Sequence, residues 1–370
     1  MPELARGRPP FRADHVGSLL RPSGLMQAFK QHQNGHLTDE AFRKIQDEAI
    51  LGAIRLQEEA GMEVVTDGEF RRSGYWRRFV ERMQGFEIRN ALFKIADETG
   101  NEYEFVVAHA ATKLKRVQPI AIDEFDFLKD NASAMPKITL PSPSTMHFYR
   151  CADFADPGVY DSAEEFFADL AKVYREEIAA LAQAGCRYVQ LDEVPIALLC
   201  DPTMRDKVKS VGQDPDRLAD LYIGAINAVV EGAPASVRIG MHMCRGNLKG
   251  HYLASGSYER IAGKLFSEAK INHFLLEFDT ARAGDFSPLR FVRKDIGVVL
   301  GLVTSKSPEL ENPDDLKRRV DEAARYIDLD RLAISPQCGF ASTLAGNPVT
   351  ETDEKAKLQL CVETARAIWK

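Results

Sequence analysis

The stretch Val237-Arg238-Ile239-Gly240-Met241-His242-Met243-Cys244 predicts a buried strand whose tip carries an imidazole and a thiol. His242 and Cys244 are two residues apart, and side chains along a strand repeat with a period of two, so both point the same way. Rigid backbone that presents such a pair can bind a transition metal, provided that other parts of the chain supply further ligands. The fold should therefore bring other strand ends to this one.

Two further apolar runs end in residues that could complete a metal site. Glu277 follows Asn272–Leu276, and Cys338 follows Leu332–Ser335. Asp279 could exchange roles with Glu277, but the strand ends at Glu277, which favours that residue. Two thiolates and an imidazole suit zinc, which is borderline-soft and tetrahedral. Any one of these residues alone would more often be a small core filler or a satisfied histidine, and it is the combination that indicates zinc.

The same alternation of strand and helix runs through most of the chain. The predicted strands are Phe11–Ser18, Met62–Thr66, Lys137–Leu140, Arg187–Leu191, Val237–Met241, Asn272–Leu276, Ile296–Val303 and Leu332–Ser335. The predicted helices run from Thr38 to Ala60, Ala163 to Ala184, Asp214 to Gly232, Tyr258 to Ser267, Asn312 to Ile327 and Glu351 to Trp369. Continuous alternation implies parallel strands, and eight units predict an α/β fold of the closed (β/α)8 TIM barrel type. A doubly wound open sheet is the alternative, and residues 1–370 are expected to form a single catalytic domain.

Residues 85–117 interrupt this alternation. Glu87–Phe93 and Tyr103–Ala108 predict two strands around the turn Glu98-Thr99-Gly100-Asn101. The barrel should therefore carry an inserted β-hairpin near residues 85–117. The pattern leaves open whether this hairpin caps the mouth of the barrel or makes a subunit contact.

Composition excludes several classes of protein. The 370 residues are 45% hydrophobic and 28% charged, which is ordinary for a globular chain with a large core. A net charge of −7 argues against nucleic-acid binding. The sequence contains no run of about 20 apolar residues, so no membrane span is predicted. The N-terminus lacks the apolar core of a secretory signal, and six cysteines at no framework spacing fit a reducing compartment. We expect a cytoplasmic protein.

In barrels of this kind the active site lies at the C-terminal ends of the strands. Those positions carry Ser18, Glu69, Thr145, Asp192, His242, Cys244, Glu277 and Cys338. Asp192 and Glu69 could together hold a substrate ammonium group, as in an amino acid. The alternative is that one of them forms a structural ion pair with Arg187 or Arg71.

A basic and aromatic segment follows Glu69. It contains Arg71, Arg72, Tyr75, Trp76, Arg77 and Arg78. Such a segment could stack on a flat heterocycle and receive carboxylates. The alternative is a solvated helix face with one buried tryptophan.

The sulfur-rich ligand set indicates the chemistry. A zinc site with two cysteinates is electron-rich and poorly suited to hydrolysis, whereas a coordinating thiol is deprotonated outright. Because the thiolate is the nucleophilic form of a thiol, the expected reaction is alkylation of a zinc-bound thiol. A zinc hydrolase is the competing class, and it would need a carboxylate base near the metal but no acids for an ammonium group. A binding protein with a structural zinc is the third class, and it would have four closed ligands and no pocket.

Five motifs in this order resemble those of the cobalamin-independent methionine synthase family, and most closely its short single-barrel members. They are Asp14-His15-Val16-Gly17-Ser18, Asp67-Gly68-Glu69-Phe70, Gln190-Leu191-Asp192-Glu193, His242-Met243-Cys244 and Pro336-Gln337-Cys338-Gly339. The resemblance implies zinc bound by His242, Cys244, Glu277 and Cys338. It also implies that Ser18, Glu69 and Asp192 bind homocysteine, which would receive the methyl group of 5-methyltetrahydrofolate.

The chain departs from the family pattern on the donor side. The N-terminal barrel of the full-length enzyme has no counterpart. Lys306 stands where the family has a histidine that assists protonation of the leaving folate nitrogen, and Tyr149 stands near the position of a tryptophan expected against the pterin. A methylated corrinoid protein or an epoxide is therefore an alternative donor, and another thiol an alternative acceptor.

We accordingly assign substrate contacts to His15, Ser18, Glu69, Asp192, Tyr149 and Trp76, and catalytic roles to Asp192 and Lys306. The expected partners are small molecules, with no nucleic acid and no membrane. A homodimer is the assembly to test.

Overall fold

Parallel strands with helices between them make up most of residues 7–369, the part of the chain that this computed structural model describes. The strands are β1 (Val64–Val65), β2 (Met83–Asn90), β3 (Ile95–Ala96), β4 (Glu102–Tyr103), β5 (Val106–Arg116), β6 (Met135–Pro136), β7 (Ile138–Pro141), β8 (Tyr188–Glu193), β9 (Arg238–Met243), β10 (His273–Glu277), β11 (Gly297–Val303) and β12 (Leu332–Pro336). The helices are α1 (Ser23–Gln33), α2 (Asp39–Glu59), α3 (Arg77–Glu81), α4 (Ile122–Asn131), α5 (Ala163–Ala184), α6 (Pro195–Leu198), α7 (Pro202–Ser210), α8 (Pro215–Val230), α9 (Glu259–Glu268), α10 (Pro313–Ala323) and α11 (Glu351–Ile368). The expected mixed α/β fold is confirmed.

Six strands form one parallel sheet in the order β12-β11-β10-β9-β8-β7. Every residue of β8, β9, β10 and β11 is buried, because helices cover one face and inward side chains fill the other. In this register Asp192 lies beside His242, so the C-terminal ends of β8 and β9 meet at the same edge.

The sheet continues at both of its edges. Beyond β12, Ala13 forms a parallel bridge with Ile334. Beyond β7, the chain runs back through Lys137 into β6, which pairs in parallel with β1. These two outer segments are hydrogen-bonded to each other, from Leu19 N to Gly68 O (3.1 Å) and from Thr66 Oγ1 to Gly17 O (2.6 Å).

The long helices begin where the sequence places caps. Thr38, Ser162, Asp214 and Asn312 each accept a backbone N–H of the first turn of their helix. The helix predicted over Ala163–Ala184 is confirmed to the residue, and Gly185 ends it in the left-handed conformation at φ 104°. Ser162 accepts from Glu165 N at 3.2 Å, while the Glu165 carboxylate accepts from Asp161 N at 2.9 Å.

Two expectations need correction. Residues Phe11–Ser18 make a single bridge rather than a full strand, because the backbone hydrogen bonds to β12 lie around Ala13, from Asp14 N to Ile334 O (3.0 Å) and from Ile334 N to Arg12 O (2.9 Å). Helices α1, α4, α6 and α7 were not anticipated; none shows the long apolar periodicity that identified the others. No helix within residues 7–369 is long and apolar enough to cross a membrane.

The inserted hairpin is confirmed, with longer strands than expected. β2 and β5 pair antiparallel from Met83 and Arg116 to Asn90 and Val106, and the short pair β3–β4 forms its tip. We call residues 83–116 the excursion hairpin. Asp97 organises the tip turn by accepting hydrogen bonds from Thr99 N and Asn101 N.

Candidate metal centre and its cavity

Four side chains converge at the C-terminal edge of the sheet. His242 and Cys244 come from the end of β9, Glu277 ends β10, and Cys338 follows β12. Their potential ligand atoms all lie within 4.8 Å of one another, and all four residues are buried. The parallel register explains this convergence, because strand ends remote in sequence reach one edge.

The atoms that face each other are those a metal ion would need. Within the described part of the chain, neither ring nitrogen of His242 nor Oε1 of Glu277 has a hydrogen-bond partner. Leaving buried polar atoms unpaired costs about 1–3 kcal/mol each, so this arrangement is hard to explain without a ligand. The residues therefore fit a soft divalent cation such as zinc.

The second carboxylate oxygen of Glu277 is held by arginines. Its Oε2 accepts from Arg282 Nη1 at 3.1 Å and from the backbone N–H of Arg245 at 3.3 Å. Although burial opposes it, the charges of Arg282 and Arg245 lower the pKa of Glu277. Glu277 is thus kept ionised and oriented. Asp279, the alternative ligand, is instead paired with Arg282 at 3.1 Å.

The two thiols are in contact, with 3.5 Å between the sulfur atoms of Cys244 and Cys338. A hydrogen bond between them lowers the pKa of Cys338 and raises that of Cys244. The Gly246 N–H also donates to Cys244 Sγ at 3.3 Å. The contact between the two thiols thus favours a thiolate at Cys338.

A cavity of about 140 Å³ opens beside these residues, and we call it the central cavity. Its lining includes eight of the eleven predicted site residues: Ser18, Glu69, Trp76, Tyr149, Asp192, His242, Cys244 and Cys338. Glu277, His15 and Lys306 are outside the lining, although Glu277 lies within 4.8 Å of the other three potential ligands.

Asp192 and Glu69 provide the negative charge of the central cavity. Burial, and next the charge of Glu69, raise the pKa of Asp192 to about 7. Glu69 Oε1 accepts from Thr139 Oγ1 at 2.8 Å, while its Oε2 has no partner among residues 7–369. Two buried carboxylates that face one cavity suit a cationic ligand group. Arg72, and not the expected Arg71, lies nearest to Glu69, at 3.6 Å.

The backbone at Glu69 is in the left-handed region, with φ 62°. Side chains other than glycine rarely adopt it, and a non-glycine residue there stores of order 1–3 kcal/mol of strain. The Asp67 carboxylate compensates by accepting from Glu69 N at 2.9 Å. The strain aims the Glu69 side chain into the central cavity.

Ser18 and His15 take different positions. Ser18 lines the central cavity next to Gly339, whose missing side chain leaves room for the serine hydroxyl. His15 lies deeper, with Nε2 3.2 Å from Val64 O, and burial lowers its pKa to about 3. The structure therefore places Ser18, and not His15, where a ligand in the cavity could touch it. Thr145, also expected at the rim, is buried outside the lining.

One part of the lining of the central cavity is aromatic and apolar. Tyr149 and Trp76 are joined there by Tyr75, and the excursion hairpin adds Phe105, Val106 and Val107. The Phe105 and Tyr149 ring centroids are 6.0 Å apart. The sequence analysis did not identify these hairpin residues, because a strand pattern does not show which part of the fold the strand will face.

The excursion hairpin is held over the cavity at its tip. Glu98 lies 2.7 Å from His251 Nδ1, and Lys207 Nζ donates to Lys94 O at 2.8 Å. At its base, Ala110 bridges Ala155. Of the two roles left open by the sequence, capping the mouth agrees with this placement.

Lys306 approaches the central cavity from behind Asn247. Its Nζ donates to Asn247 Oδ1 at 3.0 Å and to Gly246 O at 3.3 Å. Asn247 itself lines the cavity and was missed in the sequence, where it follows the metal motif without a distinguishing pattern.

The predicted basic lip is wrong. The four arginines pair with carboxylates of the protein: Arg71 with Asp47, Arg72 and Arg78 with Glu124, and Arg77 with Glu81. None of the four lines the central cavity, whereas the neighbouring Tyr75 and Trp76 do. The charges are used to fix the segment that presents these two aromatic rings.

Comparison with known proteins identifies relatives along nearly the whole chain. Residues 13–367 match the family model described as "Cobalamin-independent synthase, Catalytic domain". The chain is 41% identical to "Uncharacterized protein YxjH" of Bacillus subtilis (strain 168), over 98% of this chain and 95% of that protein. It is 28% identical to "Methionine synthase" of Thermococcus kodakarensis, over 88% and 85% of the two chains. The crystal structure of a putative vitamin-B12 independent methionine synthase from Listeria monocytogenes superposes with a TM-score of 0.78 at 33% identity, covering 98% and 99% of the chains.

Proposed function

We propose that this chain, which belongs to the cobalamin-independent methionine synthase family, is a zinc-dependent methyltransferase that converts homocysteine to methionine. The observation that carries the proposal is the position of two thiols in contact and two buried carboxylates around one cavity. The sulfur side suits a thiol substrate, and the carboxylates suit the ammonium group of an amino acid.

His242, Cys244, Glu277 and Cys338 would hold the zinc ion. The chemistry that zinc supplies at such a site is deprotonation of a coordinating thiol near neutral pH. Asp192 and Glu69 would bind the substrate ammonium group, and the Ser18 hydroxyl would bind its carboxylate. Together these contacts would direct the substrate sulfur toward the aromatic wall.

The donor would be 5-methyltetrahydrofolate. Trp76, Tyr149 and Phe105 offer flat apolar surface for a ring system at the open side of the cavity. In the reaction a sulfur–methyl bond forms, the bond from the methyl group to the folate nitrogen breaks, and that nitrogen takes up a proton. Lys306 Nζ, next to Asn247, would supply that proton.

The competing classes fit the site less well. A structural zinc requires a closed site, whereas three of the four potential ligands line an open cavity. A hydrolase requires no pair of acids for an ammonium group, yet Asp192 and Glu69 are both in the lining.

We also propose that the sheet closes into a (β/α)8 barrel and that residues 1–370 form one domain, acting in the cytoplasm. The hydrogen bonds between the segments at the two edges of the sheet support closure. Closure would gather all the strand ends at one mouth.

The test is methionine formation by zinc-loaded protein given homocysteine and either 5-methyltetrahydrofolate or methylcobalamin. Methionine from the folate supports the proposal, and methionine from methylcobalamin alone would overturn the donor but keep the thiol. Cys338→Ser should lose both zinc and activity. Cys361→Ser, at a buried cysteine of α11, is the matched control and should keep both.

An independent readout is the absorption spectrum of cobalt-substituted protein. Homocysteine should add a sulfur-ligand band and release a proton. An unchanged spectrum together with no methionine from either donor would refute the proposed function.

A further inference from the structure

A layer of buried polar side chains lies beneath Asp192. Its centre is Lys137, which is 1% exposed and sits between β6 and β7. Lys137 Nζ donates to Asp14 Oδ1 at 2.8 Å, to Gln190 Oε1 at 3.1 Å and to the His15 carbonyl. An ammonium group has three protons, so this lysine has none left over.

Lys137 decides which way the Gln190 amide points. An ammonium group only donates, so the atom of Gln190 that faces it must be the carbonyl oxygen. The NH₂ group then faces Val16 O at 2.6 Å and Asp192 Oδ1 at 2.7 Å. Both N–H bonds of the Gln190 side chain are therefore donated. The hydrogen bonds run in one direction, from Lys137 to Gln190 and from Gln190 to Asp192.

Asp192 and Gln190 are two residues apart on β8, so their side chains lie on the same face of the sheet. Gln190 is fully buried, whereas Asp192 reaches the central cavity. The hydrogen bond occupies one oxygen of the Asp192 carboxylate and leaves the other to a ligand. Rotation of the carboxylate about its last bond would break this contact.

We infer that Gln190 is a positioning residue that sets the Asp192 carboxylate for the ammonium group of the thiol substrate, with Lys137 fixing the Gln190 amide. The inference rests on the proposed function, since it takes an amino thiol as the substrate. Selectivity for the substrate amine then depends on Gln190 and Lys137, two residues that the substrate does not contact.

Gln190→Glu tests the inference with almost no change of shape. While ionised, the new carboxylate can still accept from Lys137, but it cannot donate to Asp192. Gln190→Met removes the donor without adding charge and guards against a folding defect of the first variant. The ligands are homocysteine and its desamino analogue, γ-sulfanylbutanoate, measured by titration calorimetry on zinc-loaded protein.

The wild type should bind homocysteine more tightly than the analogue. Both variants should lose this preference by about tenfold, equivalent to about 1.4 kcal/mol, while their affinity for the analogue stays within about twofold. Asp192→Asn should lose the same preference, and adding Gln190→Met to it should cost nothing more. Gln57→Glu is the matched control, because Gln57 is also fully buried and the hydrogen bonds of its side chain within residues 7–369 are to Ala53 and Thr66.

The outcomes separate the two proposals. If both ligands weaken equally in the Gln190 variants, or neither does, Gln190 is only structural and the inference fails. If the wild type itself shows no preference for homocysteine, the substrate assignment under the proposed function fails, and the inference fails with it.

Discussion

Replacing Gly339 with alanine tests whether the Ser18 hydroxyl contacts the thiol substrate. A Cβ at residue 339 would lie 1.8 Å from Ser18 Oγ, while ordinary contact begins at 3.4 Å. The hydroxyl must therefore move by about 1.6 Å, which a change of its staggered rotamer provides. The Ser18 Cβ and backbone oxygen, each 3.1 Å from the new Cβ, need shift by only a few tenths of an ångström, so most of the damage should fall on binding.

The size of the effect follows from the lost hydrogen bond. A hydrogen bond to a charged carboxylate contributes about 1.5–3 kcal/mol, which corresponds to a rise in the homocysteine KM of roughly tenfold to 150-fold. The free energy of unfolding should change by less than about 1 kcal/mol, because a serine side chain at a cavity wall can turn at low cost.

Steady-state kinetics of Gly339→Ala, Ser18→Ala and the double variant make a complete cycle. If Gly339→Ala acts only through the hydroxyl, the double variant should have the KM of Ser18→Ala alone. Independent penalties that add in the double variant, or an unchanged KM in Gly339→Ala, would refute the reasoning.

Three other predictions concern separate parts of the molecule. Lys306→Met should lower kcat for methionine formation and leave the calorimetric affinity for homocysteine unchanged; an equal loss in both would contradict a role on the donor side. Gly240→Ala should lower the free energy of unfolding in urea by about 1–3 kcal/mol, because the new Cβ would lie 2.4 Å from His273 Nε2, which Tyr188 holds. Burial, with the charge of Glu124, raises the pKa of Asp67 to about 6, so the folded chain binds this proton more tightly than the unfolded chain does. Its contribution to stability is then present below about pH 4 and lost as the pH rises through about 6. Urea titrations should show Asp67→Asn gaining about 2–3 kcal/mol on the wild type across that window, and a constant difference would argue against the shift.

The convergence of the four potential ligands could be predicted because it depends on simple rules. Cys338 is remote in sequence from His242, yet both follow buried strands, and parallel strands end at one edge. The period of two placed His242 and Cys244 on one side without any tertiary information. The same logic brought Asp192 beside His242.

The interior of the sheet could not be predicted in this way. Gln190 is a polar residue within β8 and Lys137 lies between two short strands, and a sequence pattern assigns such residues to solvent. Only the structure shows that Lys137 meets Asp14, which is remote in sequence, and that Gln190 links Lys137 to Asp192. The pairing of Arg72 with Glu124 was hidden for the same reason, since it depends on a helix that lacked a clear sequence signal.

The left-handed backbone at Glu69 has a consequence for how this chain would respond to selection. Glycine would relieve the conformational penalty there but would remove the carboxylate. Libraries screened only for survival at high temperature should therefore accumulate Glu69→Gly, and libraries screened for growth dependent on the enzyme should exclude it. The frequency of glycine at this one codon would report which of the two pressures a population has experienced.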